Sequence, residues 1–114
     1  MYKFGTIVLI PFPFTDLSSA KLRPALIVSK VQPKQSDLIV AFITSKRPKT
    51  LHSGQFLISQ KSSYFSATGL KTESVLHFDK LATLDKRLIL GELGHVEKSI
   101  LESMRKVFEA VFGF

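Results

Sequence analysis

The chain is dominated by short runs of apolar, β-branched residues, and turn-forming segments separate one run from the next. The first three runs are Gly5–Phe12, Arg23–Lys30 and Leu38–Ser45. Each is rich in Ile and Val and short for a helix, which is typical of strands. Two further strands are expected at Gln55–Ser59 and over Ser74–Asp85, the latter as one bent strand or two short ones. This series predicts a mainly β fold.

The tail of the chain follows a different pattern from His95 onward. Apolar residues there recur mostly at spacings of three and four, which predicts an amphipathic helix that ends at Gly113. The apolar set is Val96, Ile100, Leu101, Met104, Val107, Phe108, Val111 and Phe112. Many short strands followed by one helix favour a small α+β fold, a β-barrel or sandwich with a C-terminal helix packed on it.

Length and charge limit the class of protein. The 114 residues favour a single domain over 1–114, with enough chain for a core. There is no cysteine, so disulfides and thiolate chemistry are excluded. Sixteen Lys and Arg against nine Asp and Glu give a net charge of +7, which favours a polyanionic partner such as nucleic acid or an acidic protein. No signal peptide or membrane span is visible, so a cytoplasmic protein without membrane contact is expected.

The sequence gives little support for a metal or nucleotide site. The three histidines, His52, His77 and His95, match no zinc-ligand spacing. Neither a GxGxxG nor a GxxxxGK[ST] motif occurs, so the usual dinucleotide and phosphate loops are missing. We therefore expect no metal and no cofactor.

Arg, Thr, Ser and Lys at the ends of the predicted strands carry the chemistry that remains. A guanidinium donates two parallel hydrogen bonds to phosphate oxygens and keeps its charge. RNA already carries a nucleophile in its 2′-hydroxyl. A metal-free ribonuclease therefore has only to orient the phosphate, neutralise the charge of the transition state and move a proton.

Several stretches together resemble one family over nearly the whole chain. "GTIVLIPFPFTDLSSAKLRPALIVS", "IVAFITS" and "GLKTESVLHFDKLATLDKRLILGELG" are similar to segments of the PemK/MazF toxins of bacterial toxin–antitoxin pairs. The resemblance implies an SH3-like small β-barrel with short helices and a C-terminal amphipathic helix, a homodimer, and metal-independent, sequence-specific cleavage of single-stranded RNA. It also implies inhibition by an antitoxin, for which we expect an acidic, disordered C-terminal segment that folds on binding.

The resemblance assigns roles to particular positions. It implies that Arg23 and Thr44 are catalytic. The remaining predicted substrate-binding residues are Ser18, Ser19 and Lys21 in the loop that closes over the substrate, Ser45, Lys46 and Arg47 after the third strand, and His77 and Asp79. Two departures from the family pattern stand out: His77 replaces the Arg of an Arg-x-Asp arrangement, and the loop before Arg23 reads Asp-Leu-Ser-Ser-Ala-Lys-Leu instead of Gly-x-Glu-Gln-x-Gly.

The leading function is therefore an endoribonuclease toxin that leaves a 2′,3′-cyclic phosphate and a 5′-hydroxyl. Two alternatives stay open at the level of sequence. One is a CcdB-like poison that binds DNA gyrase without catalysis, and the other is an inactive member that only binds RNA.

Overall fold

A computed structural model of the chain describes residues 2–12, 21–30 and 34–113. Within those residues it contains six strands, a short and a long α-helix, and a 3-10 turn at Lys86–Leu88. The strands and helices, in chain order, are β1 (Thr6–Phe12), β2 (Lys21–Ile27), β3 (Asp37–Thr44), β4 (Gln55–Ile58), α1 (Phe65–Thr68), β5 (Ser74–Asp85), β6 (Gly91–His95) and α2 (Lys98–Phe112).

The strands form one antiparallel sheet in the order β4-β5-β3-β2-β1-β6. The sheet curls into a half-barrel that the helices accompany, which confirms the mainly β, α+β fold expected from the sequence. No helix in the described part of the chain is long and apolar enough to cross a membrane.

The two faces of the sheet bury different sets of side chains, because successive strand residues point to opposite sides. Helix α2 packs on one face, where Met104 is almost completely buried and the ring of Phe108 meets that of Phe78 edge to face at 5.8 Å. That face is formed by Ile7, Leu26, Ala41, Ile43, Ile58, Leu76 and Phe78. The other face is formed by Val8, Ile10, Ala25, Ile27, Leu38, Val40 and Leu84.

Strand β5 is a single bent strand, and an irregularity in its pairing produces the bend. Ala41 of β3 lies opposite Leu81, whereas the next residue, Phe42, lies opposite His77. Residues 78–80 therefore stand outside the ladder with β3 and form a bulge. The Phe78 amide in this bulge donates to the carbonyl of Gly54, at 2.9 Å, so the bulge is held from the segment before β4.

The positions of two elements were not predicted from the sequence. Helix α1 lies in the stretch that reads as irregular, and it ends at Gly69, whose φ of 73° suits glycine. Strand β6 pairs with β1 at the edge of the sheet and packs against α1. A Cβ at Gly94 of β6 would come within 2.2 Å of the Ala67 carbonyl oxygen, so this contact requires a glycine. The predicted end of α2 is confirmed, since Gly113 closes it with a φ of 75°.

Candidate functional site

The pairing of β2 with β3 brings the two predicted catalytic residues together. Ala25 lies opposite Phe42 in this ladder, and Leu26 opposite Ala41. The ladder ends at the Ala25–Phe42 pair, and Arg23 and Thr44 each lie two residues beyond it, on the sheet face that carries Ala25 and Phe42. Both side chains are half-buried.

Arg23 and Thr44 line a depression of about 440 Å³ at this end of the sheet. It crosses four neighbouring strands, because the ladder row Ala25–Phe42 continues through His77 of β5 to Gln55 of β4. The lining consists of Arg23, Phe42, Ile43, Thr44, Lys46, Arg47, Pro48, Gln55, His77 and Lys80. We call this depression the strand-end pocket.

The hydroxyl of Thr44 is oriented by the turn that follows β3. Its Oγ1 accepts a hydrogen bond from the Lys46 amide at 3.2 Å. With that lone pair engaged, the hydroxyl proton is available to a ligand in the pocket. The local turn therefore prepares Thr44 as a hydrogen-bond donor.

The charge of the strand-end pocket is positive. Its described lining contains Arg23, Lys46, Arg47 and Lys80 and no carboxylate. Arg47 is joined at 2.9 Å to Glu73, which lies outside the lining. Among the residues that the structure describes, no ion pair links the other three cations to an acidic side chain. A polyanion would find guanidinium and ammonium donors there with little internal competition.

The buried side chain of His77 contacts a carboxylate behind the pocket wall. Its Nδ1 lies 3.3 Å from Oδ1 of Asp79, and the amide nitrogen of Gln55 is 3.5 Å from the same ring nitrogen. The other carboxylate oxygen of Asp79 lies 3.4 Å from Nε2 of His52. A single carboxylate thus lies between two imidazoles, one in the pocket wall and one on the surface.

A family model describing PemK-like, MazF-like toxins of type II toxin–antitoxin systems matches residues 3–112. The chain belongs to this family of toxins. No curated protein matches the sequence at a comparable level. The resemblance seen in the strand motifs is therefore confirmed.

Solved structures with the same fold include several members of this toxin family. An endoribonuclease in complex with its cognate antitoxin, from a mycobacterial species, superimposes with a TM-score of 0.75 at 17% identity, covering 100% of this chain and 97% of that chain. The Mycobacterium tuberculosis toxin MazF-mt6 gives 0.72 at 20% identity, covering 96% and 97%. A MazE–MazF structure from Deinococcus radiodurans gives 0.73 at 18% identity, covering 99% and 96%. At these identities the likeness establishes the fold.

The pocket of this family member contains five of the ten predicted site residues. Arg23, Thr44, Lys46, Arg47 and His77 all line it, and Asp79 contacts it through His77. Ser45 is exposed beside Thr44, and Lys21 is exposed at the start of β2, and neither belongs to the lining. The predicted Ser18 and Ser19 lie outside the described residues.

Five lining residues of the toxin were not predicted from the sequence: Phe42, Ile43, Pro48, Gln55 and Lys80. Lys80 begins the Lys-x-x-Thr-x-Asp pattern that carried part of the resemblance, so a signal for it was present. Gln55 had no such signal, because it reaches the pocket only through the pairing of β4 with β5.

The described residues do not offer a metal-binding group. Nowhere in those ranges do three or more His, Asp or Glu side chains come together as a set that could hold a metal ion. His52, Asp79 and His77 are arranged as a carboxylate between two imidazoles, at distances of 3.3 and 3.4 Å that correspond to long hydrogen bonds.

Proposed function

We propose that this toxin is an endoribonuclease that cleaves single-stranded RNA at specific sequences and needs no metal. The observation that carries the proposal is the strand-end pocket, in which Arg23 and Thr44 stand together among cations and without a carboxylate in the described lining. Similar folds include proteins described as endoribonucleases, which supports the same conclusion.

In the proposed reaction, the 2′-hydroxyl of the substrate attacks the adjacent phosphorus and the 5′-oxygen leaves. The products are a 2′,3′-cyclic phosphate and a 5′-hydroxyl. Arg23 stabilises the negative charge that builds up on the phosphorane, and its planar fork holds two oxygens at once. Thr44 donates its hydroxyl proton to a non-bridging oxygen.

The remaining candidates bind the RNA chain on either side of the scissile phosphate. Lys46, Arg47 and Lys80 attract the phosphates, and Ser45 extends that contact beyond the pocket. Ser18 and Ser19 stay candidates for substrate binding, and so does Lys21, which is the first residue of β2. Single strands fit such a site because their unpaired bases are free to stack and pair with protein groups.

The proposal extends to the setting in which the toxin acts. We infer a single toxin domain over residues 1–114, a homodimer, a cytoplasmic location and inhibition by an acidic antitoxin. Structures of similar fold that contain a cognate antitoxin support the last of these. An acidic, disordered C-terminal segment of the antitoxin would compete with RNA for the cations of the strand-end pocket.

One experiment tests the proposed activity directly. Purified toxin is incubated with single-stranded RNA in excess EDTA, and the product ends are identified. We expect cleavage with 2′,3′-cyclic phosphate and 5′-hydroxyl ends, and none by an Arg23→Ala variant. Cleavage that appears only when a divalent ion is added back would overturn the metal-free mechanism. Inhibition of gyrase without RNA cleavage would favour the CcdB-like alternative, and RNA binding without cleavage the inactive-member alternative.

A further inference from the structure

His77 offers a chemical group in the strand-end pocket that neither Arg23 nor Thr44 provides. Metal-free cleavage needs a group that removes the proton of the 2′-hydroxyl. Arg23 keeps its proton at all working pH values, and Thr44 is a weak base. Of the side chains that line the described pocket, the imidazole of His77 is the one whose neutral form carries a basic ring nitrogen.

The hydrogen bonds around His77 determine which ring nitrogen carries its proton. Gln55 Oε1 accepts from the His52 amide at 3.0 Å, so its amide nitrogen is the end that points towards His77. Nδ1 of His77 therefore faces a donor at 3.5 Å and the Asp79 carboxylate at 3.3 Å. The carboxylate is nearer and charged. An unprotonated Nδ1 would place two hydrogen-bond acceptors, this ring nitrogen and Oδ1 of Asp79, next to each other. The proton consequently lies on Nδ1, donated to Asp79.

A proton on Nδ1 leaves Nε2 of neutral His77 with a free lone pair. No hydrogen bond to Nε2 is formed within the described residues, and no fully buried side-chain polar atom there lacks a partner. Nε2 is therefore not fully enclosed, and the side chain that carries it lines the strand-end pocket. An exposed lone pair on an imidazole of fixed tautomer is the arrangement required of a general base.

His52 completes the support from the outer side of Asp79. Its Nδ1 accepts from the Gly54 amide at 3.3 Å, so its own proton lies on Nε2, facing the second carboxylate oxygen at 3.4 Å. Gly54 leaves room for this approach, because a Cβ there would lie 3.0 Å from that of Asp79. The exposed side-chain fraction rises from 9% at His77 through 31% at Asp79 to 59% at His52, so the cluster runs from the pocket to solvent.

We propose that His77 is the general base of the cleavage reaction, with Asp79 as the residue that fixes its tautomer. This inference rests on the proposed ribonuclease function. The O–H bond of the 2′-hydroxyl breaks and its proton passes to Nε2 of His77, while the 2′-oxygen forms a bond to phosphorus. The bond from phosphorus to the 5′-oxygen then breaks, and the leaving oxygen takes a proton from water. The imidazolium afterwards returns its proton to solvent.

The charges around His77 favour this use of the residue. Asp79 stabilises the imidazolium that forms during the reaction. The titratable groups that face it are Asp79 and His52 behind it and Arg23, Lys46, Arg47 and Lys80 across the pocket.

The first test is a measurement on the unmodified toxin that does not require activity. Long-range ¹⁵N–¹H NMR correlations of the imidazole rings report which nitrogen carries the proton. We expect His77 in the Nδ1–H form and His52 in the Nε2–H form above neutral pH. A neutral His77 protonated at Nε2 would overturn the base assignment, whatever the toxin does to RNA.

The second test compares single-turnover cleavage across pH for His77→Gln, Asp79→Asn and a matched control, His95→Gln. His95 is exposed on edge strand β6 and outside the pocket lining. His77→Gln should lower the rate by about 10²–10⁴ and abolish the fall in rate towards acidic pH, with RNA binding nearly unchanged. Asp79→Asn should lower the rate and move the His77 proton to Nε2 in the NMR spectrum.

Each alternative result has a definite meaning. A rate and pH profile for His77→Gln equal to those of the control would overturn the proposal. Loss of the limb at alkaline pH would assign His77 as a general acid and overturn it as base. If the unmodified toxin does not cleave RNA, both the proposed function and the base role are refuted. If it does cleave RNA but NMR shows the His77 proton on Nε2, only the base role is refuted.

Discussion

The proposed reaction depends on particular functional groups in the strand-end pocket, the guanidinium of Arg23 and the hydroxyl of Thr44. Arg23→Lys keeps the charge but loses the planar fork, so we expect single-turnover cleavage to fall by about 10²–10³. Thr44→Val removes the hydroxyl donor and should act in the same direction, whereas Thr44→Ser should retain most activity. RNA binding should change far less, because the other cations supply the salt-dependent attraction. Arg105→Lys, at an exposed position of α2, is the matched control. A fall in its cleavage rate equal to that of Arg23→Lys would contradict the assignment.

A second residue-level effect concerns stability outside the pocket. Asp85 accepts from the Arg87 amide and side chain at 2.9–3.2 Å, and these bonds hold the pKa of its carboxyl below its ordinary value. A lowered folded-state pKa means that the stabilisation is present above the unfolded pKa and is lost as the pH falls through the folded one. Asp85→Asn should therefore lower the urea midpoint at pH 7, and the difference from the unmodified toxin should shrink as the pH approaches 3. A difference independent of pH would show that the charge is not its source.

At the scale of elements, edge strand β6 depends on its close approach to α1. Gly94→Ala would drive a Cβ into the Ala67 carbonyl oxygen and the Thr68 backbone, which are not free to move as a side-chain end would be. We expect a loss of about 1–3 kcal/mol in the free energy of unfolding. Gly91→Ala in the same strand is the matched control, since nothing lies within 4 Å of its Cβ, and its effect should stay within about 0.5 kcal/mol. Equal denaturant midpoints for the two variants would contradict this account.

Some elements of this fold can be predicted from local sequence patterns and others cannot. Strands β1 to β3 and helix α2 follow from apolar periodicity, because each buries a continuous face. Strand β6 has two glycines and exposed Glu92 and Leu93, so its pairing with β1 depends on tertiary contacts that no local pattern records. Arg23 and Thr44 were found through a family resemblance. Gln55 joined them only through strand pairing, which explains why it was missed.

On the scale of the whole molecule, charge and exposed apolar surface point to partners. Leu88 and Leu90, which precede β6, and Leu93 within it are 37–59% exposed. With a net charge of +7, this surface predicts two kinds of association: a symmetric homodimer formed through apolar contacts, and capture of an acidic antitoxin through the pocket.

Light scattering checks the first association and titration checks the second. We expect the mass of a dimer at micromolar concentration, and a shift towards monomer for Leu90→Asp. A peptide from the acidic antitoxin segment should bind more weakly as salt increases and should displace RNA. A monomeric unmodified toxin, or a peptide that binds while RNA stays bound, would count against the respective association.

Four consecutive residues, in the bulge of β5 and directly before it, make different contacts. His77 lines the pocket, Phe78 packs on Phe108 of α2, Asp79 contacts both histidines and Lys80 returns to the pocket. Deletion of one residue from this stretch would exchange the inward-facing and outward-facing positions. It would therefore disturb both the pocket and the packing against α2. Selection for survival in cells lacking antitoxin is therefore expected to yield insertions and deletions here that prevent folding, whereas point substitutions at His77 or Lys80 should remove the proposed ribonuclease activity and leave the protein soluble.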